Sequence, residues 1–192
     1  MGREFELKYR AEEASLAAIE VKYGPFASIV METVYYDTFD LKLSMHHWTL
    51  RRRLENGKSV CTFKKPLDDG SRAEWEVACD SIMTGILQLC QSGAPYELMR
   101  ATAGGLMEVC GARFTRLAAT LELDGCTAEL ALDRGVLTGG GKTQSFAEVE
   151  VELKSGDEAA ATAFAEALAA EFALTPEPKS KFARAMALAM NP

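Results

Sequence analysis

The first ten residues alternate between charged and apolar side chains with the two-residue period of a β-strand. Glu4, Glu6 and Lys8 fall on one face of that strand, and the intervening aromatic and aliphatic residues fall on the other. Two carboxylates about 7 Å apart on one face repel each other by roughly 2 kcal/mol at an effective dielectric near 20, so they need either water or a bound cation. The segment 148–152 repeats the alternation with three glutamates. Two acidic strand faces, each backed by an apolar face, indicate a sheet whose charged side surrounds a metal ion.

Length and charge are typical of a small soluble protein. The chain has 192 residues, of which 48% are hydrophobic and 26% charged, so we expect one domain over residues 1–192 with a substantial core. The net charge of −7 argues against a general surface for nucleic acid or anionic membrane, and no segment approaches membrane-spanning length. The five cysteines form no Cys-x-x-Cys pair, so we expect reduced thiols and a cytoplasmic location.

The periodicity predicts antiparallel strands with helices inserted between them. The dipeptides Asn56-Gly57 and Asp124-Gly125 are typical of tight hairpin turns. Residues 82–110 are predicted to be mostly helical, and Ser155-x-x-Glu158 is predicted to form a capping box at the start of another helix. The predicted strands are residues 3–10, 28–37, 48–55, 58–65, 72–79, 113–123, 126–135 and 145–154, and further helices are predicted at 12–23 and 180–190.

Charged side chains share one face of most of these strands, and the opposite faces are strongly apolar. In a single strand this pattern usually marks the solvated outside of a sheet. When about six strands share it with both signs of charge, helices that cover the apolar faces leave the charged faces pointing inward. We therefore predict an α+β fold, namely a closed eight-stranded antiparallel β-barrel, or tunnel, with helices packed on the outside.

The inward-facing charges indicate the kind of ligand. Burying ions of both signs costs several kcal/mol for each ion unless they pair or bind something, so an interior of salt bridges without a ligand is the alternative. Arginine forks match phosphate oxygens, and the basic set is Lys8, Arg51, Arg53, Lys64, Arg72 and Arg116. Carboxylates suit hard cations such as Mg²⁺ or Mn²⁺, and the acidic set is Glu4, Glu6, Glu74, Asp133, Glu148, Glu150 and Glu152. The combination is typical of phosphoryl transfer.

An ordered series of short motifs runs along nearly the whole chain. The first is a Glu-x-Glu-x-Lys pattern at residues 4–8, which is a weak signal when it stands alone. The others are Tyr35-Tyr36-Asp37-Thr38, Leu50-Arg51-Arg52-Arg53, Thr62-Phe63-Lys64, Arg72-Ala73-Glu74, Arg116, Leu130-Ala131-Leu132-Asp133, Glu148-Val149-Glu150-Val151-Glu152 and Ser180-Lys181. In this order the series resembles the CYTH superfamily, the triphosphate tunnel metalloenzymes. The resemblance implies an eight-stranded antiparallel tunnel, in agreement with the face pattern.

The resemblance also implies a role for each matching residue. Divalent metal would be held by Glu4, Glu6, Asp133, Glu148 and Glu150, and the triphosphate would be bound by Lys8, Arg51, Arg53, Lys64, Arg72, Arg116 and Lys181. Lys181 matches a lysine in a segment that closes one tunnel mouth, with Lys179 as the alternative. Glu74 would orient basic side chains or water, and Glu152, which shares the acidic strand face, would lie around the metal site without holding the metal. Catalysis would depend on Glu4, Glu6, Lys8 and Glu150, and either a second metal, a carboxylate or Lys8 would activate water.

The function implied by the resemblance is metal-dependent hydrolysis of linear triphosphates, with inorganic tripolyphosphate converted to pyrophosphate and phosphate. ATP and thiamine triphosphate are alternative substrates. Two other functions stay open: a class IV-type adenylate cyclase, and a barrel that binds polyphosphate or nucleotides without catalysis. The expected cofactor is Mg²⁺ or Mn²⁺. The expected partner is a small-molecule triphosphate rather than nucleic acid or a membrane, and the oligomeric state is left open.

Overall fold

Antiparallel strands account for nearly half of the residues that the structure describes. The computed structural model describes residues 2–68 and 71–190, with side chains from residue 5 onward. Within these residues the strands are β1 (Gly2–Glu4), β2 (Glu6–Arg10), β3 (Ala27–Asp37), β4 (Thr49–Glu55), β5 (Lys58–Pro66), β6 (Arg72–Ala78), β7 (Met107–Leu123), β8 (Cys126–Gly139), β9 (Lys142–Gly156) and β10 (Thr175–Pro176).

Helices connect several of the strands. In the described part of the chain they are α1 (Glu13–Tyr23), α2 (Lys42–Met45), α3 (Ile82–Gln91), α4 (Glu97–Thr102), α5 (Glu158–Glu171) and α6 (Lys181–Met190). None of the helices that the structure describes has the length and apolar character needed to cross a lipid bilayer.

The strands form one open, curved sheet. Their order is β1-β6-β5-β4-β3-β7-β8-β9-β2-β10, so among the described residues the hydrogen-bonded order has two ends. The prediction of a closed eight-stranded barrel is therefore wrong. The break lies at Phe5, because β1 before it pairs with β6 whereas β2 after it pairs with β9. β1 and β2 are consecutive in the chain, so this N-terminal segment contacts both the β6 side and the β9 side of the curved sheet. Among the described residues, however, no ladder of hydrogen bonds connects β6 to β9.

The predicted hairpin turns connect neighbouring strands. Asn56 and Gly57 have φ angles of 48° and 81°, the left-handed values that a two-residue turn between β4 and β5 requires. Gly125 in the turn between β7 and β8 also has a positive φ, of 89°. The register of each hairpin follows from its turn, so these short turns determine which side chains share a face.

Two groups of helices cover the apolar face of the sheet. Helices α1 and α5 pack against β2, β8 and β9, with Leu16 and Leu168 fully or almost fully buried there. Helices α3 and α4 pack against β4, β5 and β6 through Ile86, Leu98 and their neighbours. Because strand side chains alternate, the charged residues of the same strands point to the other side of the sheet.

Helix α6 packs on that other, charged side. Its residues Ala185 and Met186 belong to one buried cluster with Phe114 of β7 and Leu137 of β8, and Phe114 shares a strand face with Arg116. A Cβ atom added to Gly139 would lie 2.4 Å from the carbonyl oxygen of Ala185, so this close approach requires a glycine in β8. Helix α6 therefore lies beside the charged side chains instead of covering the outside of the sheet.

Two predicted boundaries are wrong. The mostly helical segment predicted at 82–110 ends at Thr102, after which β7 begins at Met107 and pairs with β3 and β8. Ser155 does not start a helix, because β9 continues to Gly156. Asp157 is the N-cap of α5 instead, and its carboxylate accepts a hydrogen bond of 2.9 Å from the amide of Ala159.

Candidate functional site

The charged faces of the strands line one large cavity of about 1050 Å³. Eleven of the predicted site residues contribute to its wall: Glu6, Lys8, Arg51, Arg53, Lys64, Arg72, Glu74, Arg116, Glu150, Glu152 and Lys181. Asp133 and Glu148 are completely buried behind this wall, and both contact Lys181. The side chain of Glu4 lies outside the described residues. Apart from Glu4, the structure brings the predicted site residues together.

One side of the cavity carries most of its arginines. Strands β4, β5 and β6 are neighbours in the sheet, and they present the basic wall, which we define as Arg51, Arg53, Lys64 and Arg72. Glu74 lies within this wall, with its Oε1 3.4 Å from Lys64 Nζ and 3.8 Å from Arg51 Nη2. The position of Glu74 suits a residue that orients basic side chains.

The positive charge of Arg53 is only partly balanced by the described protein groups. Its Nη1 lies 3.1 Å from Glu55, but its Nε is buried without a hydrogen-bond partner among the described residues. Burial lowers the pKa of Arg53, and the nearby positive charges of Arg51 and Arg116 lower it further. A buried cation whose charge is disfavoured by its surroundings would be stabilised by an anion, so the basic wall suits an anionic ligand.

Negatively charged side chains are concentrated on β8 and β9. Asp133 of β8 pairs directly with Glu148 of β9, and Glu150 lies two residues further along the same face. Oxygen atoms of these three carboxylates lie within 4.8 Å of one another. Asp133 and Glu148 are 0% exposed and Glu150 is 6% exposed. We call these three residues the carboxylate cluster; their convergence follows from the register of one strand pair.

Three cationic side chains neutralise the carboxylate cluster. Arg116 binds Asp133 with two hydrogen bonds of 2.8 and 2.7 Å and also contacts Glu150. Lys181 Nζ lies 2.8 Å from Asp133 and 2.6 Å from Glu150, and it also contacts Glu148. Arg184 contacts Glu148 from the next turn of α6. The three negative charges are thus surrounded by three positive ones.

These contacts change the proton affinities of the cluster. Burial alone would raise the pKa of Glu150, but Lys181 and Arg116 hold it well below its usual value. Burial raises the pKa of Glu148, and the neighbouring Glu150 adds to that shift. Burial would lower the pKa values of Arg116 and Lys181, yet the carboxylates raise both above their usual range. Glu150 and its two cationic partners are therefore charged at neutral pH.

The carboxylate cluster has the chemistry of a site for a hard divalent cation. Mg²⁺, Mn²⁺ and Ca²⁺ prefer oxygen ligands, and several carboxylates that converge in a buried place are costly unless cations neutralise them. Asp133, Glu148 and Glu150 could hold such an ion. Glu6 lines the same cavity from β2, where its Oε1 lies 3.8 Å from Lys8 Nζ, but it does not belong to this group of three.

The structure distinguishes the two candidate lysines and adds one arginine. Lys181 is buried at the carboxylate cluster, whereas Lys179 is exposed. The sequence-based reasoning missed Arg184, although its position three residues after Lys181 places both on one face of a helix. Asp37, from the motif at residues 35–38, is not among the residues that line the cavity. Its carboxylate accepts hydrogen bonds from the amides of Thr38, Leu43 and Ser44, which stabilises the loop around α2.

Comparison with known proteins agrees with this geometry. A family model of the CYTH domain matches residues 2–186. Among solved structures, the chain is similar to HpAC1 from Hippeastrum, a candidate adenylyl cyclase described as having a dominant triphosphatase activity, with a TM-score of 0.72, 19% identity and coverage of 98% of both chains. It is also similar to a candidate adenylate cyclase from Bacillus halodurans, with a TM-score of 0.63, 19% identity, and coverage of 94% of this chain and 96% of that one. At this identity the structural likenesses concern the fold.

Proposed function

The chain belongs to the CYTH domain family, and on that premise we propose that it is a metal-dependent hydrolase of linear triphosphates, with inorganic tripolyphosphate as its substrate. One observation carries the proposal. The basic wall on β4, β5 and β6 lines the cavity, and the carboxylate cluster on β8 and β9 reaches the same cavity through Glu150. The two charged regions are separated in the sheet by β3 and β7. This arrangement suits a polyanion that binds arginines and lysine on one side and a divalent cation on the other.

The basic wall would hold the phosphate chain in place. Arg51, Arg53 and Arg72 offer planar guanidinium groups that can each donate two parallel hydrogen bonds to phosphate oxygens. Arg72 is oriented by hydrogen bonds of 3.2 Å to the carbonyl of His47 and 3.1 Å to Thr49 Oγ1. Arginines fixed in this way position the scissile bond, which is the main contribution that a protein makes to phosphoryl transfer.

The acidic side would supply the remaining parts of the reaction. Asp133, Glu148 and Glu150 would hold a divalent ion, which would supply Lewis-acid polarisation and neutralise charge on phosphate oxygens. Arg116 orients Asp133 and Glu150 through its paired contacts. Glu6 lies beside Lys8 in the cavity wall. We assign Glu6 the role of general base, which accepts a proton from the attacking water. An oxygen–phosphorus bond then forms at the terminal phosphate while the bridging bond breaks, and pyrophosphate leaves.

A nucleotide substrate is the second candidate. Ile29 and Met31 of β3 line the cavity between the two charged regions, and an apolar stretch of this kind can contact a base. The descriptions of the Hippeastrum and Bacillus halodurans proteins as candidate cyclases point in the same direction. The triphosphatase activity described for the Hippeastrum protein supports the first candidate.

One assay panel distinguishes these functions. The purified protein is incubated with tripolyphosphate, ATP or thiamine triphosphate in Mg²⁺ or Mn²⁺, and both phosphate release and cyclic AMP are measured. We expect metal-dependent phosphate release that is fastest with tripolyphosphate. Cyclic AMP from ATP would replace the proposal with the cyclase, and binding without any product would replace it with a noncatalytic binding function.

Substitution of Arg53 tests the role of the basic wall. We expect Arg53→Gln to lower kcat/KM for tripolyphosphate by about 10- to 100-fold, because a hydrogen bond to a charged group contributes about 1.5–3 kcal/mol. Arg52→Gln is the matched control, since Arg52 lies on the opposite face of β4 and its Nε donates a 2.8 Å hydrogen bond to Ser59. The measurement is steady-state kinetics of both variants. Equal losses in the two variants would contradict the assignment of the inward face.

A further inference from the structure

Lys181 occupies the centre of the carboxylate cluster. Its Nζ contacts all three carboxylates, at 2.8 Å from Asp133 Oδ2, at 2.6 Å from Glu150 Oε1 and against Glu148. Arg116 and Arg184 reach the same carboxylates only from the periphery, and neither contacts all three. Lys181 is therefore the cation around which the cluster converges.

Two aromatic rings complete the surroundings of this ammonium group. Lys181 Nζ lies 5.1 Å from the centroid of the Phe114 ring and 5.5 Å from that of Phe146. Ring faces attract cations, and Lys181 is only 9% exposed. The ammonium group of Lys181 is thus surrounded by three carboxylates and two aromatic rings.

The ammonium group lies where a divalent ion would bind. Hard divalent cations bind carboxylate oxygens at about 2.0–2.6 Å, and the oxygens of the cluster already surround Lys181 Nζ at little more than that distance. An ion that contacts all three carboxylates would fill the same space as the ammonium. The ammonium group and a divalent ion cannot occupy this position together, because they would overlap sterically and their positive charges would repel each other.

We propose that Lys181 is a tethered cation that occupies the metal position of the carboxylate cluster and sets the metal affinity by competing with the ion. The inference rests on the proposed function only in requiring that the cluster binds a divalent cation. Exchange of Lys181 for such an ion adds one positive charge to the cluster, which increases its attraction for a polyanion. The displaced ammonium stays in the cavity, which Lys181 already lines, and becomes available to phosphate oxygens.

Mn²⁺ binding without substrate tests the competition. Isothermal titration calorimetry measures the Kd of Mn²⁺ for the wild type and for three charge-neutralising variants: Lys181→Gln, Arg184→Gln and Lys179→Gln. We expect Lys181→Gln to bind Mn²⁺ at least about tenfold more tightly, Arg184→Gln to change the Kd by no more than about threefold, and Lys179→Gln to match the wild type. Equal gains in Lys181→Gln and Arg184→Gln would indicate a general effect of charge and would overturn the inference, as would the absence of Mn²⁺ binding.

Amine acylation of the wild type provides a second measurement that needs no variant. The intact protein is treated with an acetylating reagent, and the modification of each lysine is followed by peptide mass spectrometry with and without saturating Mn²⁺. We expect acylation of Lys181 to rise at least about fivefold with Mn²⁺ while that of Lys179 is unchanged. Continued protection of Lys181 at saturating Mn²⁺ would overturn the inference. Neither experiment contains a triphosphate, so competition without hydrolysis would reject the proposed function alone.

Discussion

Glu150→Gln is expected to lower metal-dependent hydrolysis of tripolyphosphate by about 1000-fold. Glu150 is ionised, because Lys181 and Arg116 hold its pKa well below the usual value. The amide keeps the size of the side chain but removes the negative charge that would bind a divalent ion. Charge stabilisation by a bound metal contributes several kcal/mol to a transition state, and about 4 kcal/mol corresponds to a factor of 1000 in rate.

The measurement is phosphate release at saturating Mg²⁺ and again at saturating Mn²⁺. Glu97→Gln is the matched control, because Glu97 is an exposed residue of α4 that does not line the cavity. Circular dichroism and thermal unfolding show whether Glu150→Gln is folded at the assay temperature, as we expect, since its amide oxygen can still accept hydrogen bonds from Lys181 and Arg116. Full activity of a folded Glu150→Gln would contradict the metal assignment.

The residues that line the cavity could be predicted because the side chains of a strand alternate strictly between its two faces. Once β4 and β5 are joined by Asn56-Gly57, Arg51 and Arg53 must share a face, and Lys64 must fall on that same face of the neighbouring strand. The same rule placed Asp133, Glu148 and Glu150 together. Local rules of this kind need no knowledge of how distant parts of the chain meet.

Closure of the sheet could not be predicted by the same rule. Alternation indicates which side chains point inward, but it contains no information about whether the first and last strands share a ladder. Here the N-terminal segment divides its pairing at Phe5, so β1 and β2 bind different neighbours and the sheet stays open. The beginning of β7 was missed for a related reason: the apolar residues after Met107 fit a short helix or a strand until their partners in β3 and β8 are known.

The pairing of opposite charges within the site also depends on tertiary structure. Lys181 was expected to bind phosphate, yet it contacts the carboxylate cluster because α6 packs on the charged side of β7 and β8. Arg184 joins it for the same reason. Helical spacing relates Arg184 to Lys181, but nothing in the spacing indicates which side of the sheet the helix contacts.

Gly135→Ala is expected to lower the free energy of unfolding by about 3 kcal/mol, because it inserts a methyl group where neighbouring atoms already fill the space. Gly135 pairs with Phe114 on one side and Phe146 on the other. An added Cβ would lie 2.1 Å from the carbonyl oxygen of Arg113 and 2.4 Å from Phe114 Cβ. These atoms are a backbone oxygen and the Cβ atom of a buried phenylalanine, so they cannot move aside without disturbing the ladder between β7 and β8.

The same substitution would also disturb the surroundings of the cluster. The rings of Phe114 and Phe146 meet at a centroid distance of 5.7 Å across the glycine, and both lie beside Lys181 Nζ. Thermal unfolding measures the effect, which should lower Tm by about 6–12 °C in a chain of this size. Gly104→Ala is the control, because a Cβ there has no atom within 4 Å and its φ is ordinary, so its Tm should be unchanged or slightly higher. Equal Tm values for the two variants would show that Gly135 has room for a side chain, which would contradict the close packing of β7, β8 and β9 behind the carboxylate cluster.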